Sequence, residues 1–141
     1  MSDKLSNPGD ASRDKPTQGY RDLLVWQKSM ALVKDIYKIT AGFPSEEKFG
    51  LTSQMRRAAV SVPSNIAEGQ ARNTTGEFVQ FNSYAEGSLA ELDTQLTLAV
   101  ELDFLPAEKA DLGLDSIAEL RRMLNGLRRS ITGQSPPARN L

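Results

Sequence analysis

Four long segments of the chain carry apolar residues at intervals of three and four positions, which is the spacing of one face of an α-helix. The second segment shows this pattern most clearly, and its apolar face is formed by Leu51, Met55, Ala58, Val62 and Ile66. Pro63 lies within the pattern, where proline removes a backbone hydrogen bond and costs about 3 kcal/mol. We therefore predict a second helix that begins at Ser45 as N-cap, is kinked at Pro63 and ends near Arg72.

The first segment has two apolar stripes side by side. We predict a helix that begins near Asp22 as N-cap and ends before Gly42, a residue that often follows a helix. Its predicted seam towards the other helices is Leu23, Trp26, Met30, Val33 and Tyr37. The second stripe is Val25, Leu32, Ile36 and Ile39. The second stripe is either part of a wide face towards the core or a surface for self-association, and the pattern leaves both interpretations open.

The third and fourth segments have clear helix boundaries. Thr74 and Glu77 have the T-x-x-E spacing of a capping box, which predicts the start of the third helix. The seam of this helix is Phe78, Phe81, Ala85, Leu89, Leu92, Leu96 and Ala99. Pro106 suits the first position of the fourth helix, and Gly133 can end it. The seam of the fourth helix is Ile117, Leu120, Leu124, Leu127 and Ile131.

The very short connection around Thr74 makes the second and third helices antiparallel neighbours. In that register Arg57 lies opposite Glu91, and Ser61 lies opposite Gly87. We predict an ion pair between Arg57 and Glu91 in or beside the bundle, with Gly87 permitting close approach near the kink. The alternative role for Arg57 is contact with a phosphate.

The fold prediction is an all-α protein, a left-handed antiparallel up-down-up-down four-helix bundle with a Pro-kinked second helix, over residues 20–132. Residues 1–19 and 133–141 are rich in polar residues, Pro and Gly, and we predict disordered N- and C-terminal tails there.

Composition removes most enzyme classes. The 141 residues include no Cys and no His, which excludes disulfides, thiolate or imidazole nucleophile pairs and His-ligated metals. Gly69 and Gly76 are isolated, so no glycine-rich phosphate loop is present. We therefore predict no catalytic residues, no metal and no cofactor. No apolar run approaches the roughly 20 residues of a membrane span, and no signal peptide is visible, so we expect a cytoplasmic protein without a membrane partner.

The charges nearly cancel but are unevenly placed. There are 17 Lys and Arg against 18 Asp and Glu, a net charge of −1. Arginines cluster near the end of the fourth helix, and the predicted topology brings arginines from the ends of other elements to the same pole. We predict nucleic-acid binding by Arg21, Arg56, Arg72, Arg121, Arg122, Arg128 and Arg129. No aromatic residue interleaves with the arginines of this pole, so we expect low sequence specificity. The alternative is that these arginines only complement helix dipoles and maintain solubility.

Several sequence blocks are characteristic of a known family. They are RRAAVSVPSNIAEG at 56–69, VWQ at 25–27, FP at 43–44 and EGSLAELDTQL at 86–96. Over roughly residues 20–131 the chain resembles a small bacterial four-helix-bundle family encoded in intervening sequences of large-subunit rRNA genes. This family includes the accessory variability determinant of diversity-generating retroelements.

The resemblance implies a homopentameric barrel without catalytic activity. For retroelement members it also implies binding of nucleic acid, RNA or DNA, and of a reverse transcriptase. The alternative function is a structural or protein-interaction scaffold that has no role with nucleic acid.

Overall fold

The computed structural model describes residues 19–133, which form four α-helices and no strand. The helices are α1 (Leu24–Thr40), α2 (Leu51–Gln70), α3 (Thr75–Glu101) and α4 (Ala107–Thr132), with a short 3₁₀ turn at Ser45–Glu47 before α2. Each helix packs on the next, and α4 packs on α1, while the diagonal pairs do not approach closely. The predicted four-helix bundle is confirmed. The predicted tails, apart from residues 19 and 133, lie outside the described residues.

The predicted apolar faces of α2 and α3 form the centre of the core. All five apolar residues predicted for α2 are buried, and so is the predicted seam of α3 except for the half-buried Phe81. Pro63 is also buried, and α2 continues through it without a break to Gln70. None of the helices within residues 19–133 combines the length and the apolar character that would let it cross a membrane.

The face that α1 turns to the core is not the predicted seam. The buried residues are Val25, Ser29, Leu32, Ile36 and Thr40, whereas Met30 and Tyr37 of the predicted seam are 37% and 43% exposed. Ser29 and Thr40 can be buried because their hydroxyls donate to carbonyls of the same helix, those of Trp26 and Ile36, both at 2.7 Å. These two polar residues interrupt the apolar pattern of the core face. The second stripe therefore belongs to the core, and the predicted seam flanks it.

Two predicted helix starts are wrong. The N-cap of α1 is Leu23 and not Asp22, and no side chain caps the helix there. Ser45 begins the 3₁₀ turn, and α2 itself starts only at Leu51. The carboxylate of Glu47 accepts a hydrogen bond from the backbone N–H of Leu51 at 2.9 Å. The first turn of α2 thus takes its side-chain partner from the 3₁₀ turn, a partner that spacing alone does not reveal.

The other predicted helix ends are close to the observed ones. The Thr74 hydroxyl accepts from the Glu77 N–H at 3.1 Å, so Thr74 is the N-cap of α3. Its hydroxyl also lies 3.2 Å from the Glu77 carboxylate. Pro106, predicted at the first helical position of α4, is instead its extended N-cap residue, one position before Ala107. Gly133 ends that helix in the left-handed conformation, with a φ of 70°.

The register of α2 against α3 is close to the predicted one. The hydroxyls of Ser61 and Ser88 form a hydrogen bond between the helices, one residue from the predicted pairing of Ser61 with Gly87. The close approach is not at Gly87, where an added Cβ would have no atom within 4 Å. It occurs instead at Gly69, where an added Cβ would lie 3.1 Å from the Cβ of Phe81.

Candidate nucleic-acid interface

The arginines predicted to bind nucleic acid do not form one cluster. The ends of α2 and α4 do meet at one pole of the bundle, because Arg72 and Ile131 line the same shallow pocket. At this pole Arg72 forms an ion pair with Glu68 at 2.9 Å, and its guanidinium lies 4.7 Å from the centre of the Phe81 ring. Arg72 is therefore already engaged by its own neighbours in the bundle.

Arg21 and Arg129 lie near the same pole without joining a common site. The guanidinium of Arg21 lies 5.4 Å from the Tyr20 ring centre and 5.8 Å from that of Trp26. Arg129 is half-buried in the last turn of α4 and forms no ion pair with another residue of 19–133. A cation in this turn complements the helix dipole, which is the alternative role considered for it.

Three predicted arginines do come together, in an open groove between α3 and α4 of about 300 Å³. This α3–α4 groove is lined by Glu86, Arg121, Arg122, Asn125 and Arg128. It holds three guanidinium groups and one carboxylate, so it carries a net positive charge. Within the described part of the chain, no group of three or more His, Cys, Asp or Glu residues could hold a metal ion.

Arg128 is fixed in the wall of the α3–α4 groove. Its Nη1 donates to Glu86 Oε2 at 2.8 Å, and its Nη2 donates to Asn125 Oδ1. Glu86 is in turn bonded by Asn82, whose side-chain amide also donates to the backbone carbonyl of Leu124 at 3.2 Å. Because Asn82 is buried, this series of hydrogen bonds connects the core to the surface of the groove. It holds the Glu86 carboxylate in place.

Arg121 and Arg122 are exposed at the same groove and remain available to a ligand. Neither forms an ion pair or a side-chain hydrogen bond with any other residue between 19 and 133. Two adjacent guanidinium groups without a carboxylate partner can donate to the oxygens of neighbouring phosphates. The geometry therefore singles out this pair among the predicted residues.

Glu86 and Asn82 were not among the predicted site residues. The signal that could have found Glu86 was present in the sequence. The short connection at residues 102–106 makes α3 and α4 antiparallel neighbours, just as the turn at Thr74 does for α2 and α3. The resulting register places the middle of α3 beside the middle of α4, and so Glu86 near the arginines.

Arg56 lies far from the pole. Its Nε donates to the Thr40 hydroxyl at 2.8 Å, its Nη2 donates to the Tyr37 carbonyl at 3.3 Å, and its guanidinium lies 4.4 Å from the Tyr37 ring centre. Arg56 and Arg72 are separated by about 24 Å along the axis of α2. Arg56 therefore belongs to the opposite end of the bundle, near the end of α1.

The predicted ion pair between Arg57 and Glu91 is absent from the described residues. Both side chains are exposed, and neither takes part in an ion pair there. Arg57 instead lines a cleft together with Tyr37 of α1. One helical turn after Arg57, α2 contacts α3 through the hydrogen bond between Ser61 and Ser88.

The fold and the sequence blocks both have counterparts among known proteins. A crystal structure of a protein of unknown function from the S23 ribosomal protein family of Bacteroides thetaiotaomicron VPI-5482 superposes with a TM-score of 0.68 and 19% identity. The match covers 75% of this chain and 99% of that chain, and at this identity it shows the fold alone. A comparison with curated proteins found no match. The family model of the 23S rRNA-intervening sequence protein matches residues 21–126. The chain therefore belongs to the 23S rRNA-intervening sequence protein family.

Proposed function

We propose that this protein binds RNA or DNA through the α3–α4 groove and catalyses no reaction. The observation that carries the proposal is the pair Arg121 and Arg122, exposed beside Arg128 without a carboxylate of their own among the described residues. Guanidinium groups bind phosphate oxygens strongly, and contacts to the phosphate backbone supply most of the affinity of non-specific binding.

The groove chemistry favours recognition of the backbone over recognition of bases. No aromatic side chain lines the groove, so it offers no surface on which a base could stack. Contacts to phosphates position a nucleic acid without reading its sequence. The name of the family refers to 23S rRNA, which makes a structured RNA the first ligand to test.

The test is the binding of a fluorescent RNA hairpin to the parent protein and to the double variant Arg121→Gln/Arg122→Gln. We expect the variant to bind at least about tenfold more weakly. We also expect the slope of log affinity against log salt to fall by about 2, because two phosphate contacts are lost. A duplex DNA of the same length shows whether the site distinguishes RNA from DNA.

The matched control is Lys34→Gln/Lys38→Gln, which removes the same charge from two exposed positions of α1. This control should retain most of the parent affinity. An equal loss in both double variants would mean that only the total charge matters. Binding by the parent protein that did not change with salt concentration would contradict phosphate recognition altogether.

We also propose that the protein assembles with copies of itself. A shallow surface between α1 and α2, the apolar α1–α2 face, is lined by Trp26, Met30, Val33, Val60 and Pro63. Met30 and Val60 are 37% and 41% exposed, so this face presents apolar side chains to solvent that a second copy could cover. A pentamer is the state that the family resemblance implies, and a ring would present the α3–α4 groove several times to one nucleic acid.

The second candidate function is a protein-interaction scaffold, which the apolar α1–α2 face favours. For retroelement members the resemblance implies that the partner is a reverse transcriptase. We propose the cytoplasm as the compartment for either function. Failure of the hairpin to bind, together with retained assembly, would favour the scaffold. Binding that depends on Arg121 and Arg122 would favour the nucleic-acid function.

A further inference from the structure

A second cleft lies between the end of α1 and the first half of α2, on the side that Arg57 faces. It is open to solvent, and its volume is about 720 Å³. We call it the cationic cleft, and its distinctive lining residues are Tyr37, Lys48, Phe49, Arg56 and Arg57. The rest of its lining comes from α2 and consists of Val60 and of hydroxyl side chains, among them Thr52 and Ser53.

The cleft contains three cations and is lined by no carboxylate. Arg72 and Arg128 each form an ion pair with a glutamate, whereas Arg56 and Arg57 form none with residues 19–133. Arg56 is half-buried and has no carboxylate partner among these residues. The cleft is therefore electrostatically suited to an anionic ligand.

Arg56 is already positioned to bind such an anion. Its guanidinium is fixed by hydrogen bonds to the Thr40 hydroxyl and the Tyr37 carbonyl and by the Tyr37 ring. These bonds use two of the five N–H groups of an arginine, which leaves three for a ligand. Because the side chain is held in place, little conformational entropy is lost when it binds a phosphate.

Phe49 adds a second and different kind of contact. It lies in the connection before α2 and is 88% exposed, although it is one of the largest apolar side chains in the protein. The Lys48 ammonium lies 5.5 Å from the centre of the Phe49 ring. An exposed aromatic ring beside unpaired cations is the arrangement that binds a nucleobase by stacking and its phosphate by charge.

We propose that the cationic cleft binds an unpaired nucleotide of a single-stranded nucleic acid. The base stacks on Phe49, and the adjacent phosphates accept hydrogen bonds from Arg56 and Arg57. An acidic peptide would satisfy the cations but would leave the ring of Phe49 exposed. The inference goes beyond the proposed function, because it concerns another site, at another end of the bundle, and unpaired instead of structured nucleic acid.

The stacking contact is tested with a short fluorescent oligouridylate and two substitutions of Phe49. We expect Phe49→Leu, which removes the ring, to weaken binding about fivefold or more, and Phe49→Trp, which keeps an aromatic surface, to retain it. The control is Leu112→Ala, since Leu112 is 74% exposed on α4, away from the cleft. Far-ultraviolet circular dichroism confirms that each variant is folded.

The phosphate contact is tested with Arg57→Gln against Lys34→Gln. Both residues are exposed, so neither change should disturb folding. We expect Arg57→Gln, and not Lys34→Gln, to weaken binding of the oligouridylate and to reduce the slope of log affinity against log salt by about 0.7, the value for one phosphate contact of a single strand. Competition distinguishes a single strand from a free mononucleotide as the ligand. If the cleft binds single strands, unlabelled oligouridylate should displace the fluorescent oligouridylate at a far lower concentration than free uridine monophosphate does.

The outcomes separate this inference from the proposed function. Oligouridylate binding that is equal in the parent and in Phe49→Leu overturns it. So does binding that is lost only in Arg121→Gln/Arg122→Gln, a result that would leave the α3–α4 groove as the binding site. An acidic peptide that binds through Arg57 while the oligouridylate does not bind would assign the cleft to a protein partner instead. Sensitivity to Phe49→Leu with an intact response of the hairpin supports two independent sites.

Discussion

Two glycines within helices leave room for a neighbouring helix, but the atoms that they face are different. A Cβ at Gly69 would lie 3.1 Å from the Cβ of Phe81, which cannot move without its backbone. A Cβ at Gly113 would lie 3.1 Å from Leu96 Cδ1, the end of a flexible side chain that can turn aside. Although the two distances are equal, only at Gly69 does a larger residue require a helix to shift.

We expect Gly69→Ala to lower the free energy of unfolding by about 1 kcal/mol, because overpacking costs about 1–3 kcal/mol and the better helix propensity of alanine recovers part of it. Gly87→Ala is the control, since a Cβ there meets no atom within 4 Å. It should raise the free energy of unfolding by up to about 1 kcal/mol. Urea unfolding followed by circular dichroism measures both, and shifts of the same sign would contradict the argument.

The residue type of an arginine does not reveal which partner holds its side chain. Arg128 and Arg56 are equally basic in sequence, but one is held by Glu86 and the other by Thr40, residues that lie 42 and 16 positions away. Neither partner belongs to the local pattern around its arginine. The sequence therefore predicted which residues are cations, while their grouping into an α3–α4 groove and a cationic cleft required the packing of the helices.

Helix existence, order and register followed from the sequence because they depend on local signals. The short turn at Thr74 fixed the pairing of α2 and α3 to within one residue, as the contact between Ser61 and Ser88 shows. For α1 the sequence left two interpretations of the second stripe open, and the structure supports the wide face towards the core. The pattern could not decide between them because Ser29 and Thr40 are buried polar residues whose hydroxyls bond to their own helix. Apolar periodicity counts such positions as exposed, so it cannot identify a core face that contains them.

Thr74 caps a helix in the structure and Ser45 does not, and this difference can be tested directly. Thr74→Ala removes the side-chain acceptor of the Glu77 N–H, and we expect it to cost about 1 kcal/mol of stability. Ser45→Ala removes an equally plausible cap in sequence, but Ser45 caps no helix in the structure and should change stability by less than about 0.5 kcal/mol. The measurement is chemical unfolding of both variants, and equal losses would restore Ser45 as an N-cap.

At the scale of the whole molecule, a net charge of −1 conceals two separate cationic surfaces. The α3–α4 groove and the cationic cleft lie on different helix pairs, α3 with α4 and α1 with α2. The apolar α1–α2 face lies between the same two helices as the cleft, and Val60 lines both. Assembly and ligand binding would therefore involve neighbouring parts of one helix pair.

We expect Met30→Glu/Val60→Glu to convert the proposed oligomer into monomers, because a carboxylate on the apolar α1–α2 face would have to be desolvated on association. Both positions are exposed in the protomer, so helix content by circular dichroism should not change. The control Leu112→Glu places a charge on an exposed position of α4 and should leave the oligomer intact. Multi-angle light scattering gives the mass, and a monomeric parent or an assembled double variant would refute the role of this face.

The up-down-up-down order places the start of α1 and the end of α4 at the same pole of the bundle. Tyr20 and Trp26 lie against Ala67 near the end of α2, and Ile131 lies beside Arg72 at that same end. The polypeptide thus enters and leaves the bundle next to the turn between α2 and α3, about 24 Å from Arg56. A fluorophore attached beside the bundle itself, at Tyr20 or at Thr132, would consequently stand clear of Phe49, so the labelled protein should still present that ring to a passing strand.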